Sequence, residues 1–152
     1  MAIADSYVNG QFLEDALNNS VAFDLVQAST TSMKVFLVKE TITGQDKNAS
    51  EAYASTYEVA NSGTYAAGGD ALTGTTLASA AGVLTFDESD ATMAWTSATW
   101  ADGAAPIGCG IYDSTLSNRI ICYIKFGAAD IPVTAGTFTI TWDASGIWTA
   151  TY

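Results

Sequence analysis

The sequence contains no histidine, and that gap removes several kinds of chemistry at once. The commonest general base and the commonest nitrogen ligand for metals are both missing, so a Ser-His-Asp or Cys-His catalytic arrangement is excluded. Positive charge is also scarce. Five lysines and arginines stand against sixteen acids, giving a net charge of −11. Lys34, Lys39, Lys47, Arg119 and Lys125 are too few and too scattered to form a phosphate-binding patch, which argues against nucleic acid. An anionic membrane surface is disfavoured for the same reason. The longest apolar run, RIICYIKF, is far too short to cross a bilayer as a helix. The opening MAIADSYVNG lacks the basic start and apolar centre of a secretory signal. The expectation is synthesis in a cytoplasm, with Cys109 and Cys122 reduced.

Charged residues make up only 14% of the chain while apolar ones reach 49%, and threonine, alanine, serine and glycine fill most of the rest. Such a mixture suits a β-protein with a hydroxylated surface, or a subunit that covers itself by packing against neighbours. At 152 residues the chain is one domain, with residues 1–30 reading as an N-terminal arm and 31–152 as the body. In the arm, Phe12, Leu13, Ala16, Leu17 and Val21 recur at spacings of three and four, one face of a short helix. That stripe has no obvious partner in its own chain. Phe12, Leu13, Leu17 and Val21 are therefore candidate partner contacts, with Trp100, beside ADGAAP, as a fifth.

The body reads as strands. MKVFLVKETI is apolar on both faces and predicts a central strand, followed by an exposed polar loop with a short helix over 50–57. Glycines at 63, 68, 69, 74 and 82 punctuate the next stretch into strands predicted at 71–78, 83–87 and 92–96. A hairpin joins 107–112 to 119–126. In an unbulged register closed by Asp113 and Asn118, Cys109 faces Cys122 directly. The C-terminal GTFTITWDASGIWTATY alternates threonine with Phe138, Ile140 and Trp142, turns at 143–146, and resumes alternation through Trp148, Ala150 and Tyr152. It predicts a closing hairpin with Phe138, Ile140 and Trp142 buried together. Phe86 and Trp95 join them in the predicted core, because aromatics on an alternating apolar face are buried. The fold class is thus mainly β: an antiparallel β-sandwich or barrel-like domain with a short N-terminal helical segment.

Binding chemistry is thin. Asp87, Glu88 and Asp90 are hard oxygen donors, and Asp70 could approach from another loop, but the spacing matches no EF-hand and reads as a solvated turn. AAGGDALTGTT lacks the lysine and the helix of a phosphate loop. Neither a cofactor nor a metal is expected, and catalysis finds no converging groups.

Taken together, SGTYAAGGDAL, LTFDESDATMAW and GTFTITWDASGIWT resemble a family of small structural proteins of tailed bacteriophages. The resemblance rests on Tyr65, Gly68 and Gly69; on Phe86, Asp87, Asp90 and Trp95; and on Phe138, Thr139, Ile140, Trp142, Gly146 and Ile147. It runs over most of the chain and is weakest between Thr41 and Ser62. It implies a non-enzymatic virion protein on the capsid exterior, a decoration or cement protein. The partners it implies are the major capsid protein and further copies of the chain, most naturally as a trimer. A tail-associated part, or a carbohydrate-binding adhesion module, is the alternative.

Overall fold

The computed structural model describes residues 6–26, 32–39, 51–88 and 92–151. Its elements are β1 (Tyr7–Val8), α1 (Gly10–Leu17), β2 (Met33–Lys39), β3 (Asp70–Ala71), β4 (Thr75–Ala80), β5 (Val83–Glu88), β6 (Thr92–Trp100), β7 (Pro106–Asp113), β8 (Arg119–Lys125), β9 (Val133–Thr141) and β10 (Trp148–Thr151), with a 3-10 turn at Ser55–Tyr57. The protein is mainly β, and among the described residues every strand pairing is antiparallel. These residues form three sheets, ordered β1-β8-β7-β2-β3, β10-β5-β4 and β6-β9.

The five-stranded sheet is covered on both faces, which is why MKVFLVK carries no alternation. Val35 and Leu37 point inward with Cys109 and Ile111, against Trp95, Trp100, Phe138, Ile140 and Phe86 from the two smaller sheets. Phe36 and Val38 point outward, where Tyr53, Tyr112 and Tyr123 roof them. Gly110 makes that roof possible. A Cβ there would stand 2.3 Å from the Phe36 ring and 2.9 Å from that of Tyr123, so only a bare backbone lets the rings lie across β7. The inner core contains all five residues the alternation nominated: Phe86, Trp95, Phe138, Ile140 and Trp142.

Several expectations change. The predicted strand over 71–78 is two elements, broken at Gly74, whose φ of 67° no ordinary strand residue adopts. β6 runs four residues beyond its predicted end, through an irregularity at Ser97, where φ is 56°. The short helix expected over 50–57 is only the 3-10 turn, and residue 50 lies outside the described residues. β4 and β5 meet through Ala81 and Gly82, both at positive φ, the two-residue turn whose twist matches antiparallel strands.

The larger correction is at the C-terminus. β9 and β10 do not pair with each other: β9 pairs with β6, and β10 with β5. The turn chemistry at 143–146 is real, since Gly146 N–H donates to the Asp143 carbonyl at 2.9 Å and Ser145 N–H to the Asp143 carboxylate at 2.8 Å. Instead of folding the chain back on itself, however, the turn carries it from one sheet to another. Gly146 has a φ of 102° and sits against the Phe86 carbonyl, where a Cβ would come within 2.8 Å. Tyr152 lies outside the described residues.

Residues 7–25 of the expected arm are built into the body. β1 pairs with β8, Asn9 caps α1 by accepting from Phe12 N–H at 3.0 Å, and the Asn9 N–H donates to the Ile121 carbonyl at 2.9 Å. Of the predicted stripe the helix buries Phe12, and beside it Asp15, which pairs with Arg119 at the start of β8. Phe12 stands edge-on to Phe23 and has no use as an outside contact; burying it contributes about 1.5–3 kcal/mol. Leu13 and Leu17 remain exposed, Leu17 at 86%, and Val21 is half-buried.

Candidate functional site

The most concentrated polar chemistry among the described residues surrounds Glu58. Its backbone bridges to Val38 at the end of β2, which draws the side chain under the surface to 3% exposure. The carboxylate accepts 2.6 Å hydrogen bonds from the hydroxyls of Tyr53 and Tyr65, and Gly68 N–H donates to both of its oxygens at 2.9 and 3.1 Å. The Tyr65 oxygen in turn accepts from Leu37 N–H at 2.8 Å, and Tyr112 donates to the Gly68 carbonyl at 2.8 Å. Burial first, and then the adjoining carboxylate, push the hydroxyls of Tyr65 and Tyr53 far above the ordinary tyrosine range. Tyr112 shifts the same way for the same reasons. Every acceptor position on Glu58 is taken by its own chain, so the cluster clamps the 51–69 segment onto β2 and leaves no open valence for a substrate.

This arrangement explains the Tyr-x-x-Gly-Gly motif. Tyr65 supplies the hydroxyl, and Gly68 the N–H. Gly69, at φ 66°, lies so close to β2 that a Cβ would fall 2.0 Å from the Val35 carbonyl oxygen. Glu58 itself carried no sequence signal, because a lone glutamate in a polar segment reads as solvated.

The second feature is a groove of about 570 Å³ between the end of β8 and β9. Its walls are Ile124, Phe126, Ile131, Val133, Trp142 and Ile147, and residues 137–141 of β9 run along it. Asp143 is the one ionisable lining residue among the described residues. That carboxylate is held below its usual range by the hydroxyl and the N–H of Ser145. The indole N–H of Trp142 is buried without a hydrogen-bond acceptor, and so is that of Trp148 in a smaller neighbouring pocket of about 200 Å³.

Other candidates come apart. Trp100 was a candidate partner contact; it is 4% exposed, because its N–H donates to the Ala60 carbonyl at 2.8 Å and its ring meets Tyr65 and Phe138 edge-on. Asp70 accepts from the indole N–H of Trp95, and Asp87 from the Glu88 N–H at 2.8 Å, while Asp90 lies outside the described residues. The described residues contain no cluster of metal-ligating side chains.

Cys109 and Cys122 are free, buried and on the same face of the sheet, but they are not opposite each other. Cys109 pairs with Ile124 and Cys122 with Ile111, because the loop closes on Asp113 and Arg119 rather than on Asn118 and β8 carries a bulge at Ile121, each moving the register by one residue. Diagonal neighbours in a sheet lie about 7–8 Å apart at Cα, beyond the reach of an unstrained disulfide. Burial pushes the Cys122 thiol up to about 12, and burial with Cys122 nearby raises that of Cys109 well above its ordinary value.

Comparison with protein-family models, with curated proteins and with solved structures returned no match. Among the described residues no helix is long and apolar enough to cross a membrane.

Proposed function

We propose that the chain is a non-enzymatic virion structural protein of a tailed phage, a capsid decoration protein that assembles as a trimer and binds between major capsid subunits. The observation that carries this reading is the ribbon β10-β5-β4. On a chain of net charge −11, residues 71–86 and the whole of β10 hold no charge. Thr76 to Ala80 of β4 are nevertheless all exposed, with Leu77 at 37%. Soluble proteins guard edge strands with charge, proline or bulges, and an unguarded one is an invitation to pair with another chain. A subunit copied many times on a lattice has a use for such an edge. Weak contacts become strong when several are tethered in one oligomer, and binding only the mature lattice stabilises it by linkage.

The resemblance at Tyr65-Gly68-Gly69, Phe86-Asp87 and Phe138-Trp142 supports the same reading. The adhesion alternative loses its platform: none of the four tryptophans is exposed, and Trp148 is half-buried, stacked on Phe86 at 5.6 Å. The test is to mix purified protein with expanded heads lacking it, sediment them, and locate added density by electron microscopy. Density on the head exterior at threefold positions is expected, along with reduced binding by Leu77→Asp. Density confined to tails, or none on any particle, overturns the proposal.

A further inference from the structure

We infer that the groove beside β9 is a strand-acceptor site, which takes an extended segment of a different protein with alternating apolar side chains and a lysine or arginine at one end.

The geometry of β9 commits the occupant to a strand. A strand that presents a face to a groove lines it with alternate residues, whereas here residues 137–141 line it consecutively. The groove therefore runs along the edge of β9. β9 pairs with β6 on one side, and no strand among the described residues pairs on the other. From Phe138 to Thr141 the pairing with β6 proceeds residue for residue, and the register irregularities lie towards Val133. That regular half carries no charge and no proline, so it lacks the devices that keep edges from pairing. Across from it, Ile124, Phe126 and Ile131 offer apolar surface, Ile131 at 41% exposure, for every second side chain of an added strand.

Charge selects the partner. Asp143 sits at one end of the groove, fixed and ionised by Ser145, and no cation pairs with it among the described residues. An incoming lysine or arginine matches that charge. A second copy of this chain brings sixteen acids and five cations, so self-pairing here adds like charge to like.

The test uses the full chain and a fluorescein-labelled synthetic heptapeptide, Lys-Val-Thr-Val-Thr-Val-Thr, blocked at both ends, followed by anisotropy. Saturable binding with Kd below about 1 mM is expected. Exchanging the peptide lysine for glutamate should weaken it by at least about fivefold, and a proline at the central valine should abolish it. Ile131→Glu should likewise remove binding while leaving the thermal midpoint unchanged; Thr139→Lys, on the exposed face of β9, serves if that variant folds poorly. In a nitrogen-15 spectrum the Trp142 indole signal should move with peptide. Failure to saturate, equal affinity for the proline peptide, or full binding by both variants overturns the inference. So does a dimer in sedimentation that Ile131→Glu dissociates, because the groove then belongs to a second copy. No phage particle enters the experiment, so its outcome and that of the capsid-binding test are independent.

Discussion

Replacing Glu58 with alanine is the sharpest test of how the outer layer is held. Glu58 is 3% exposed and accepts from two tyrosine hydroxyls and from Gly68 N–H. Hydrogen bonds to a charged group are worth about 1.5–3 kcal/mol each in net terms, and a buried donor left without a partner costs about 1–3 kcal/mol. Two opposing effects reduce the sum. The carboxylate's own desolvation is relieved, and Tyr53, half-buried, recovers water as a partner. Gly68 N–H and the Tyr65 proton remain the stranded donors, so a loss of about 3–4 kcal/mol is expected. Against a total of about 5–15 kcal/mol for a domain, that is a large fraction. Glu58→Gln keeps one acceptor oxygen for Tyr65 and Gly68 and can donate to the Tyr53 oxygen, so it should cost about 1 kcal/mol. Urea unfolding followed by tryptophan fluorescence measures both, and a double-mutant cycle with Tyr65→Phe should return a coupling of about 1–2 kcal/mol. An alanine variant within about 0.5 kcal/mol of wild type, or zero coupling, would show that the cluster does not bear on stability.

Four further outcomes are expected. Trp142→Ala should cost about 3–5 kcal/mol, the usual loss for a buried aromatic, whereas Trp142→Phe should cost under about 1.5 kcal/mol because it also deletes an indole N–H that has no acceptor; equal losses in denaturant titration contradict this. Phe12→Ala should cost about 3–5 kcal/mol and Leu17→Ala less than about 0.5, and the reverse order would mean that the helix buries its Leu17 side instead. Tyr65, Cys109 and Cys122 all have folded-state values raised above their unfolded ones, so the folded state holds protons that the unfolded chain releases. Their contribution is full below about pH 8.5 and is lost as pH rises, so the thermal midpoint should fall steadily above about pH 9, and a flat profile to pH 11 would contradict the burial argument. Native protein should react slowly with a thiol reagent and yield two thiols once denatured; absence of free thiol after denaturation under alkylating conditions contradicts the reduced state.

What the sequence revealed and what it hid divide along physical lines. Local alternation placed Phe138, Ile140 and Trp142 on a buried face and their threonine neighbours outside, since side-chain direction in a strand follows from the backbone alone. The β7-β8 hairpin was legible for the same reason. Its cysteine pairing was not, because the closing pair is Asp113 with Arg119 and Ile121 is an extra residue, two one-residue shifts that nothing in the residue types announces. Partner choice was hidden most deeply. GTFTITW and GIWTATY read as two strands joined by a turn, yet the destination of each depends on strands some fifty residues earlier in the chain. The helix failed in phase: Asp15 is charged and looked outward until Arg119 was brought beside it.

The division of the last two strands between different sheets also bears on when the fold can form. β4 and β5 are neighbours in sequence and can zip as soon as both are made, whereas β10, their third strand, arrives last. β1 must likewise wait for β8 before Tyr7 finds Tyr123. Pairings this distant close slowly, because the chain loses the entropy of a long loop before any contact repays it. A nascent chain therefore holds a half-finished ribbon, uncharged over residues 71–86, in the open until β10 emerges. Ribosome-bound intermediates should be the species most prone to cling to one another, and slower translation between β5 and β10 should lower rather than raise the yield of folded protein.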